Sequence, residues 1–356
     1  MRFAAAPEYQ VFPTRERPLQ PYEAAVKASA ETRELIRATD PEVVIADILT
    51  VAAALAAELE ERPWVTLVPH MLPTAEPGFP VYAVGAVYPR TAAGRRLWTL
   101  ARPLLMRGEE LGRRELNGAR SRVGLPPLDH VHGGISRRLA LVATFPQLEY
   151  PRRHAEAGVR ITGPLLWEQP HDEIELPPGD DPLVLVAPST SQDPAGRLLQ
   201  VTLEGLANEP LRVLASTNRR PPEDPLAVPA NARLVDWLSY ARTMPRCDAV
   251  VCHAGHGTLA RALACGVPIV ACPHAGDMPE SAARIRWAGV GVSLPRRLQT
   301  ARGVRLAVRR VLGDPGYADR ARAVGEWSRS HDGAATAADA VEELAAGGES
   351  RVTGTS

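Results

Sequence analysis

The sequence has no excess charge of either sign. Its 41 basic and 41 acidic residues balance to a formal net charge of zero, and Lys27 is the single lysine among the basic residues. Nucleic acids and anionic membranes attract proteins through basic surfaces, so the balance argues against both classes of partner. The abundance of arginine, alongside 34 prolines, is typical of GC-rich coding, and we assign it no function.

Long hydrophobic runs are also lacking. A helix that crosses a bilayer needs about 20 consecutive apolar residues, and no segment of the 356-residue chain approaches that length. The opening segment, MRFAAAPEYQVFPTRERP, holds no continuous apolar stretch of the kind found in secretory signals. We therefore expect a cytoplasmic protein with no membrane span, and the chain length favours two domains.

Cysteine is scarce and irregularly spaced. A zinc site needs paired short spacings, which the cysteines do not show, and most of them lie in or beside apolar runs. This pattern favours buried, reduced thiols over disulfides and predicts no metal site. The four residues are Cys247, Cys252, Cys265 and Cys272.

The chain does contain an alternation of short apolar strands and helices, which is typical of parallel sheets joined by right-handed crossovers. The acidic, proline-rich segment 167–181 interrupts this α/β pattern and is typical of a linker. We therefore predict an N-terminal domain at 1–166, a C-terminal domain at 182–345 and a flexible tail at 346–356.

One stretch organises the second domain. The apolar strand Ala249–Cys252 is followed by the turn His253–Thr258 and then by a helical run. Glycines in such a turn let a ligand approach the backbone, and the unpaired N–H groups of a helix N-terminus attract anions. A second strand, Val267–Cys272, is followed by the turn PHAGDMPE and by a helix expected from about Ser281. Because parallel sheets bind ligands at the carboxyl ends of their strands, the two turns predict an anion site.

The region around this stretch resembles a known family. Trp237, the HAGHGT turn, the run ALACGVPIVACP and Asp277 with a downstream Ala-Arg occur in the order and spacing of GT-B glycosyltransferases. The resemblance is to members that glycosylate small molecules with UDP- or dTDP-sugars, including antibiotic and macrolide glycosyltransferases. It implies two Rossmann-like domains facing across a cleft, and a nucleotide sugar as donor substrate with no cofactor.

The resemblance also implies roles in a donor site. Trp237 would stack on the nucleobase, and His253 would donate a hydrogen bond to a diphosphate oxygen. The backbone at Gly255, Gly257 and Thr258 would bind the same diphosphate. The rival interpretations are a core tryptophan and a tight strand–helix turn that binds nothing.

Further donor-site residues follow from the same resemblance. Asp277 would accept hydrogen bonds from sugar hydroxyls, or else cap the following helix. Ser189 and Thr190 follow the first strand of the domain, where the family often places a phosphate-contacting hydroxyl, and they fit an ordinary turn equally well. His256 stands where the family varies, and we expect its side chain to be exposed.

Two positions in this half depart from the family pattern. Met278 stands where many members have Gln, and Ser281 stands where Asn is often found. Both replaced residues would hydrogen-bond to the sugar and its loop. Their replacement leaves the donor sugar open and makes a deoxysugar easier to accept.

The N-terminal half departs further. Family members begin with a strand, a glycine-rich turn that carries a catalytic His, and a helix, and nothing in this sequence corresponds to them. Asp47 would be the remnant of the Asp that holds this His, and His70 would be a substitute base. Both could instead be strand-end residues that bond loop backbone. An incomplete sheet would expose an edge, so we expect poor solubility or a homodimer.

These observations predict an inverting glycosyltransferase that moves a sugar from a UDP- or dTDP-sugar to a hydroxyl of a small apolar acceptor. The Pro-rich segments MLPTAEPGFPVYAVG and GLPPLDHVHGG would help to line the acceptor pocket. The alternative is a nucleotide-sugar-binding or partner protein that is catalytically impaired. A sugar-nucleotide epimerase is less favoured, because only Asp277 and Glu280 provide acidic groups near the expected sugar.

Overall fold

The structure is a computed structural model of the full chain. It describes residues 22–352 apart from short gaps, which are 130–133, 154–157, 170–172, 190–192, 194 and 223. The predicted site residue Thr190 lies outside the described residues.

The N-terminal domain is a parallel sheet with helices packed on it. Its strands lie in the order β1-β2-β3-β4, and every neighbouring pair is parallel. The strands begin where short β-branched or apolar runs follow a proline, a loop or a glycine, as predicted from the sequence. In chain order, the elements are α1 (Glu23–Thr39), β1 (Val44–Asp47), α2 (Val51–Leu59), β2 (Trp64–Val68), α3 (Ala92–Arg122), β3 (Ala140–Val142) and β4 (Val159–Ile161).

The C-terminal domain contains a larger parallel sheet. Its six strands lie in the order β10-β9-β8-β5-β6-β7. Strands β6 and β7 extend the sheet on one side of β5, and β8, β9 and β10 extend it on the other side. The elements are β5 (Leu183–Ala187), α4 (Arg197–Leu206), β6 (Arg212–Ser216), β7 (Ala232–Val235), α5 (Tyr240–Thr243), β8 (Ala249–Cys252), α6 (His256–Ala264), β9 (Ile269–Ala271), α7 (Met278–Ala288), β10 (Gly291–Ser293), α8 (Ala301–Gly313), α9 (Pro315–Arg329) and α10 (Gly333–Val352).

The predicted α/β class is confirmed, and the start of one predicted helix differs from expectation. Helix α7 begins at Met278 rather than near Ser281, because Pro279 is tolerated in the first turn. Helix α4 begins at Arg197, where the carboxylate of Asp193 accepts the first N–H groups of the helix. Helix α9 was not predicted from the sequence.

The last helix, α10, packs on the N-terminal domain. Ala337 and Ala340 of α10 pack against Val65 of β2 and Leu141 of β3 in one hydrophobic cluster. The predicted C-terminal domain at 182–345 therefore includes residues 333–345 of α10, which pack on the core of the other domain. The predicted tail at 346–356 also begins inside α10, which extends to Val352, and residues 353–356 lie outside the described part.

A continuous hydrophobic cluster joins the two domains. Met71, Phe145 and Leu148 of the N-terminal domain share it with Leu185 and Val250 of the C-terminal sheet. Phe145 also meets the ring of Trp327 edge to face. The carboxyl ends of the two sheets therefore face one another across a packed interface.

Strand β1 is an edge strand in the described part of the N-terminal sheet. Ile45 in this strand is 52% exposed, and Leu49 just beyond it is 71% exposed. The expected exposure of a sheet edge is thus present at β1. Self-association through this edge stays a prediction.

Candidate functional site

A cavity of about 300 Å³ lies at the carboxyl ends of β5 and β8, against the first turn of α6. Among its lining residues are most of the predicted donor-site residues: Ser189, Trp237, His253, Gly255, Gly257 and Thr258. It is completed by Ala187, Pro188, Asn218, Tyr240, His256 and Met278. Residues that are far apart in the sequence therefore meet where open parallel sheets bind ligands.

The N-terminus of α6 is open toward this cavity. Gly255 occupies the N-cap position, and it has no side chain to accept the first N–H groups of the helix. A Cβ atom built on Gly255 or Gly257 would meet no atom of the described residues within 4 Å. Packing within the described structure therefore does not require glycine at either position, and their missing side chains leave room for a ligand beside the helix N-terminus.

His253 is buried in the floor of the cavity and bonded at both ring nitrogens. Nδ1 lies 2.9 Å from the carbonyl oxygen of Cys272, and Nε2 lies 3.2 Å from Oδ2 of Asp193. A carbonyl and a carboxylate can only accept hydrogen bonds, so both contacts are satisfied when both nitrogens carry protons. His253 and Asp193 therefore form a buried histidine–carboxylate pair.

Asp193 was not predicted from the sequence. Burial would raise the pKa of its carboxyl, but hydrogen bonds from His253 and from the N–H groups of Leu198 and Arg197 lower it to about 2. The same carboxylate therefore starts α4 and fixes His253. The signal that could have found it is an Asp shortly before a helix that begins earlier than its apolar pattern suggests.

The two contacts of the His253 ring limit its predicted role as a hydrogen-bond donor to a diphosphate oxygen. Direct donation to a diphosphate oxygen would require one of its two hydrogen bonds to be exchanged, and the bond to Asp193 is the longer. The structure thus favours His253 as a residue that these two contacts hold in place beneath the cavity. Donation to a diphosphate stays a prediction.

Trp237 lies just beyond β7, at the wall of the cavity. Its side chain is partly exposed, which makes the interpretation as a core tryptophan wrong. The guanidinium of Arg219 lies 4.7 Å from the ring centroid. A planar ligand can stack on the accessible part of the indole.

Asp277 lies beside the cavity rather than in its lining. It occupies the N-cap position of α7, where its side chain makes no capping hydrogen bond to the described helix and its carbonyl oxygen accepts from the backbone N–H of Ser281. The next residue, Met278, does line the cavity. An apolar thioether therefore stands where the family often has an amide.

The two predicted catalytic residues follow neighbouring strands. Oδ1 of Asp47 accepts the backbone N–H of Leu49 at 2.8 Å, as the strand-end interpretation expects. Nδ1 of His70 lies 2.8 Å from the carbonyl oxygen of Met71 and 3.0 Å from the hydroxyl of Tyr82. The carbonyl requires the proton on Nδ1, so the neutral ring of His70 carries its lone pair on Nε2.

Tyr82 keeps its proton. Burial raises the pKa of its hydroxyl, and the nearby carboxylates of Asp277 and Glu280 raise it further. A neutral phenol beside His70 can accept from Nδ1 without competing for the lone pair on Nε2. The geometry therefore leaves His70 one nitrogen that is able to accept a proton.

His256 is not exposed, contrary to expectation. Its Nε2 donates to the carbonyl oxygen of Ala143 at 3.0 Å, which links α6 to the end of β3 in the other domain. Burial, opposed by this bond and reinforced by the nearby His70, lowers the pKa of His256 to about 4. The ring is therefore neutral at physiological pH, and its buried Nδ1 has no hydrogen-bond partner among the residues that the structure describes.

The part of the chain that the structure describes contains neither a metal-binding cluster nor a membrane-spanning helix. No group of three or more His, Cys, Asp or Glu side chains there could hold a metal ion. No helix within the same residues is long and apolar enough to cross a bilayer. Every cysteine is a free thiol, and only Cys265 is partly exposed.

Comparisons with known proteins agree with this geometry. Residues 201–344 match the family model described as erythromycin biosynthesis protein CIII-like, C-terminal domain. The chain is 34% identical over 241 residues to 4'-demethylrebeccamycin synthase of Lentzea aerocolonigenes, a match that covers 65% of this chain and 56% of that protein. It is 30% identical over 311 residues to a PGL/p-HBAD biosynthesis glycosyltransferase of Mycobacterium tuberculosis (strain ATCC 25177 / H37Ra), covering 84% of this chain and 70% of that protein.

The chain belongs to the GT-B family of nucleotide-sugar-dependent glycosyltransferases. The match spans only about half the length of the first relatives, such as 56% of the rebeccamycin enzyme.

Solved structures show that this family member has the GT-B fold. The glycotransferase of kitacinnamycin superposes with a TM-score of 0.71 at 21% identity, covering 94% of this chain and 86% of that one. Glycosyltransferase VinC, solved in complex with dTDP, superposes with a TM-score of 0.62 at 18% identity, covering 91% of this chain and 80% of that one.

Proposed function

We propose that the protein binds a dTDP- or UDP-sugar and transfers the sugar, with inversion, to a hydroxyl of a small apolar acceptor. The observation that carries the proposal is the cavity with an accessible tryptophan, an open helix N-terminus and a buried histidine–aspartate pair. Trp237 suits a nucleobase, and the turn at Gly255–Thr258 suits a diphosphate. The rebeccamycin enzyme and VinC support the substrate class by their names and by the dTDP bound to VinC.

The donor half of the reaction needs positive potential at the diphosphate. When the bond between the anomeric carbon and the diphosphate oxygen breaks, the leaving group takes the electron pair and gains charge. The N–H groups at the start of α6 and the ring of His253 border the cavity and would stabilise that charge. These protein groups can therefore perform the stabilisation, and we propose no cofactor for this step.

The acceptor half needs a base. In the proposed step, the acceptor oxygen attacks the anomeric carbon while its proton passes to Nε2 of His70. The carbonyl of Met71 and the hydroxyl of Tyr82 hold Nδ1, which keeps the lone pair on Nε2. Asp47 would act from the neighbouring strand through Oδ2, since the bond from the N–H of Leu49 engages Oδ1.

A second function is favoured by the engagement of Asp47. One oxygen of its carboxylate bonds its own loop, as a strand-end residue with no catalytic role would. A protein that binds the nucleotide sugar without transferring it would have the same donor cavity. The two functions differ in whether His70 affects turnover.

The test measures binding and turnover separately. Calorimetry with dTDP and UDP should give micromolar or tighter affinity for at least one nucleotide, and a failure to bind either would refute both functions. Consumption of a nucleotide sugar, with a panel of apolar hydroxylated acceptors, should then fall at least tenfold in His70→Gln without a change in dTDP affinity. His331→Gln is the matched control, because His331 is exposed, stacks on Trp327 and does not line the donor cavity. Binding without any turnover would favour the second function.

A further inference from the structure

A buried charge network lies at the domain interface, outside the donor cavity. Arg284 of α7 donates from Nε to Glu280 at 2.7 Å and from Nη1 to Glu149 at 3.1 Å. The three side chains are only 3%, 3% and 5% exposed in the order Arg284, Glu280 and Glu149. The guanidinium also lies 3.5 Å from the ring centroid of Tyr150.

Each glutamate uses its second oxygen to hold a backbone amide. Oε1 of Glu149 accepts the N–H of Leu72 at 2.8 Å. Oε2 of Glu280 accepts the N–H of Ala83 at 3.2 Å. Through these two carboxylates, Arg284 is therefore connected to the backbone amides of Leu72 and Ala83, which belong to one segment of the N-terminal domain.

These two amides bracket the side chains that orient His70. Leu72 lies two residues after His70, and Ala83 directly follows Tyr82, whose hydroxyl is 3.0 Å from Nδ1 of His70. If either amide shifts, the His70–Tyr82 contact shifts with it. The network thus holds both ends of the segment that sets the direction of Nε2.

Holding the two domains together does not by itself require a buried charge network. Burying three charges is costly, and well-packed apolar residues of similar volume usually hold an interface at least as well. Carboxylates that face defined N–H groups instead fix the position of those groups, because each hydrogen bond has a preferred distance and angle. The same helix starts beside the donor cavity, where Met278 lines the wall.

We propose that Arg284, acting through Glu149 and Glu280, is a positioning residue for His70. Helix α7, whose Met278 lines the donor cavity, would then set the geometry of the acceptor-activating base. The inference rests on the proposed function only for the identity of His70 as the base. The placement of the His70 ring by Arg284 is independent of turnover. It makes α7 the element that joins the two halves of the site.

The test replaces the network without leaving a charge unpaired. Arg284→Met, Glu149→Gln and Glu280→Gln are combined in one variant of the full chain. Histidine ring spectra by 15N NMR report which nitrogen of His70 carries the proton, and ring-to-ring NOEs report its contact with Tyr82. We expect the variant to lose the NOE and the single Nδ1–H signature, to keep dTDP affinity within about twofold, and to lose at least tenfold in kcat with donor KM unchanged.

Controls separate this inference from the proposed function. Arg309→Met removes the ion pair between the exposed side chain of Arg309 and Glu209 in the C-terminal domain, and it should leave the His70 signals unchanged. If the triple variant does not fold, Glu280→Gln alone keeps the Arg284–Glu149 pair and should still weaken the NOE. Unchanged His70 signals in a folded variant would overturn the inference. Absence of turnover in the wild type would count against the proposed function and leave the NMR result to decide this one.

Discussion

Substitution of Asp193 by asparagine should destabilise the C-terminal domain and weaken donor binding together. The amide would keep the size of the side chain and one oxygen for the N–H groups of Arg197 and Leu198. It would lose the negative charge that faces Nε2 of His253 at 3.2 Å. His253 would then hold its single proton on Nδ1, because the carbonyl of Cys272 still accepts there.

The magnitude follows from the bonds that are lost. A hydrogen bond to a charged group contributes about 1.5 to 3 kcal/mol, so we expect about 2 kcal/mol of destabilisation. For a domain of this size that corresponds to a fall in Tm of about 4 to 8 °C. Without the contact to Asp193, His253 would be held less firmly beneath the cavity, and we expect dTDP binding to weaken by about 1 to 2 kcal/mol, or about five- to thirtyfold.

The pH dependence gives an independent check. Asp193 has a pKa lowered from 3.8 to about 2 in the folded protein. Its stabilising contribution is therefore fully present above pH 3.8 and is lost as the pH falls through about 2. The free energy of unfolding of the wild type should drop more steeply over this range than that of Asp193→Asn.

Thermal unfolding and calorimetry with dTDP measure these effects. Asp314→Asn is the matched control, because Asp314 also accepts an N–H at a helix start but bonds no histidine in the described part of the chain. It should change Tm by no more than about 3 °C, since an N-cap Asp and Asn are nearly equivalent. Equal Tm and dTDP affinity in wild type and Asp193→Asn would refute a stabilising contact between Asp193 and His253.

Other predictions concern stacking, the sheet edge and the core. Trp237→Ala should weaken dTDP binding by about 1 to 3 kcal/mol while Trp237→Phe retains most of it, as measured by calorimetry; equal affinities would exclude stacking. Ile45→Lys should reduce self-association in sedimentation velocity, because charge on an edge strand opposes pairing; a monomeric wild type would contradict this. Leu203→Ala should lower the free energy of unfolding by about 2 to 5 kcal/mol in urea titrations. Its control, Leu306→Ala at a half-exposed position of α8, should change it by about 0.5 kcal/mol or less.

The donor turn was predictable because its signals are local. The apolar run Ala249–Cys252, the glycines after it and the helical run that follows are neighbours in the chain, and each favours its observed conformation. The lining of the cavity by Trp237 required the resemblance to the family as well. No spacing argument connects Trp237 to Gly257.

The partners of the site residues were not predictable, because they come from distant parts of the chain. Asp193 reaches His253 across 60 residues, and His256 reaches Ala143 across 113 residues and a domain boundary. The expectation that His256 is exposed was wrong for this reason. The expectation followed from the variability of this position in the family, whereas the N-terminal domain provides a carbonyl, that of Ala143, which accepts the proton of the ring.

Three features could be recognised from the sequence alone: the α/β class, the strand–turn–helix of the predicted anion site and the resemblance to a glycosyltransferase family. Hydrophobic periodicity and glycine turns are properties of short segments, so they can be recognised without knowledge of the fold. Other features depend on the folded chain: Asp193 contacts His253, α10 packs on the N-terminal core, and Arg284 bonds Glu149 and Glu280. Buried polar groups must find partners wherever two surfaces meet, and the order of residues along the chain does not encode which surfaces those are.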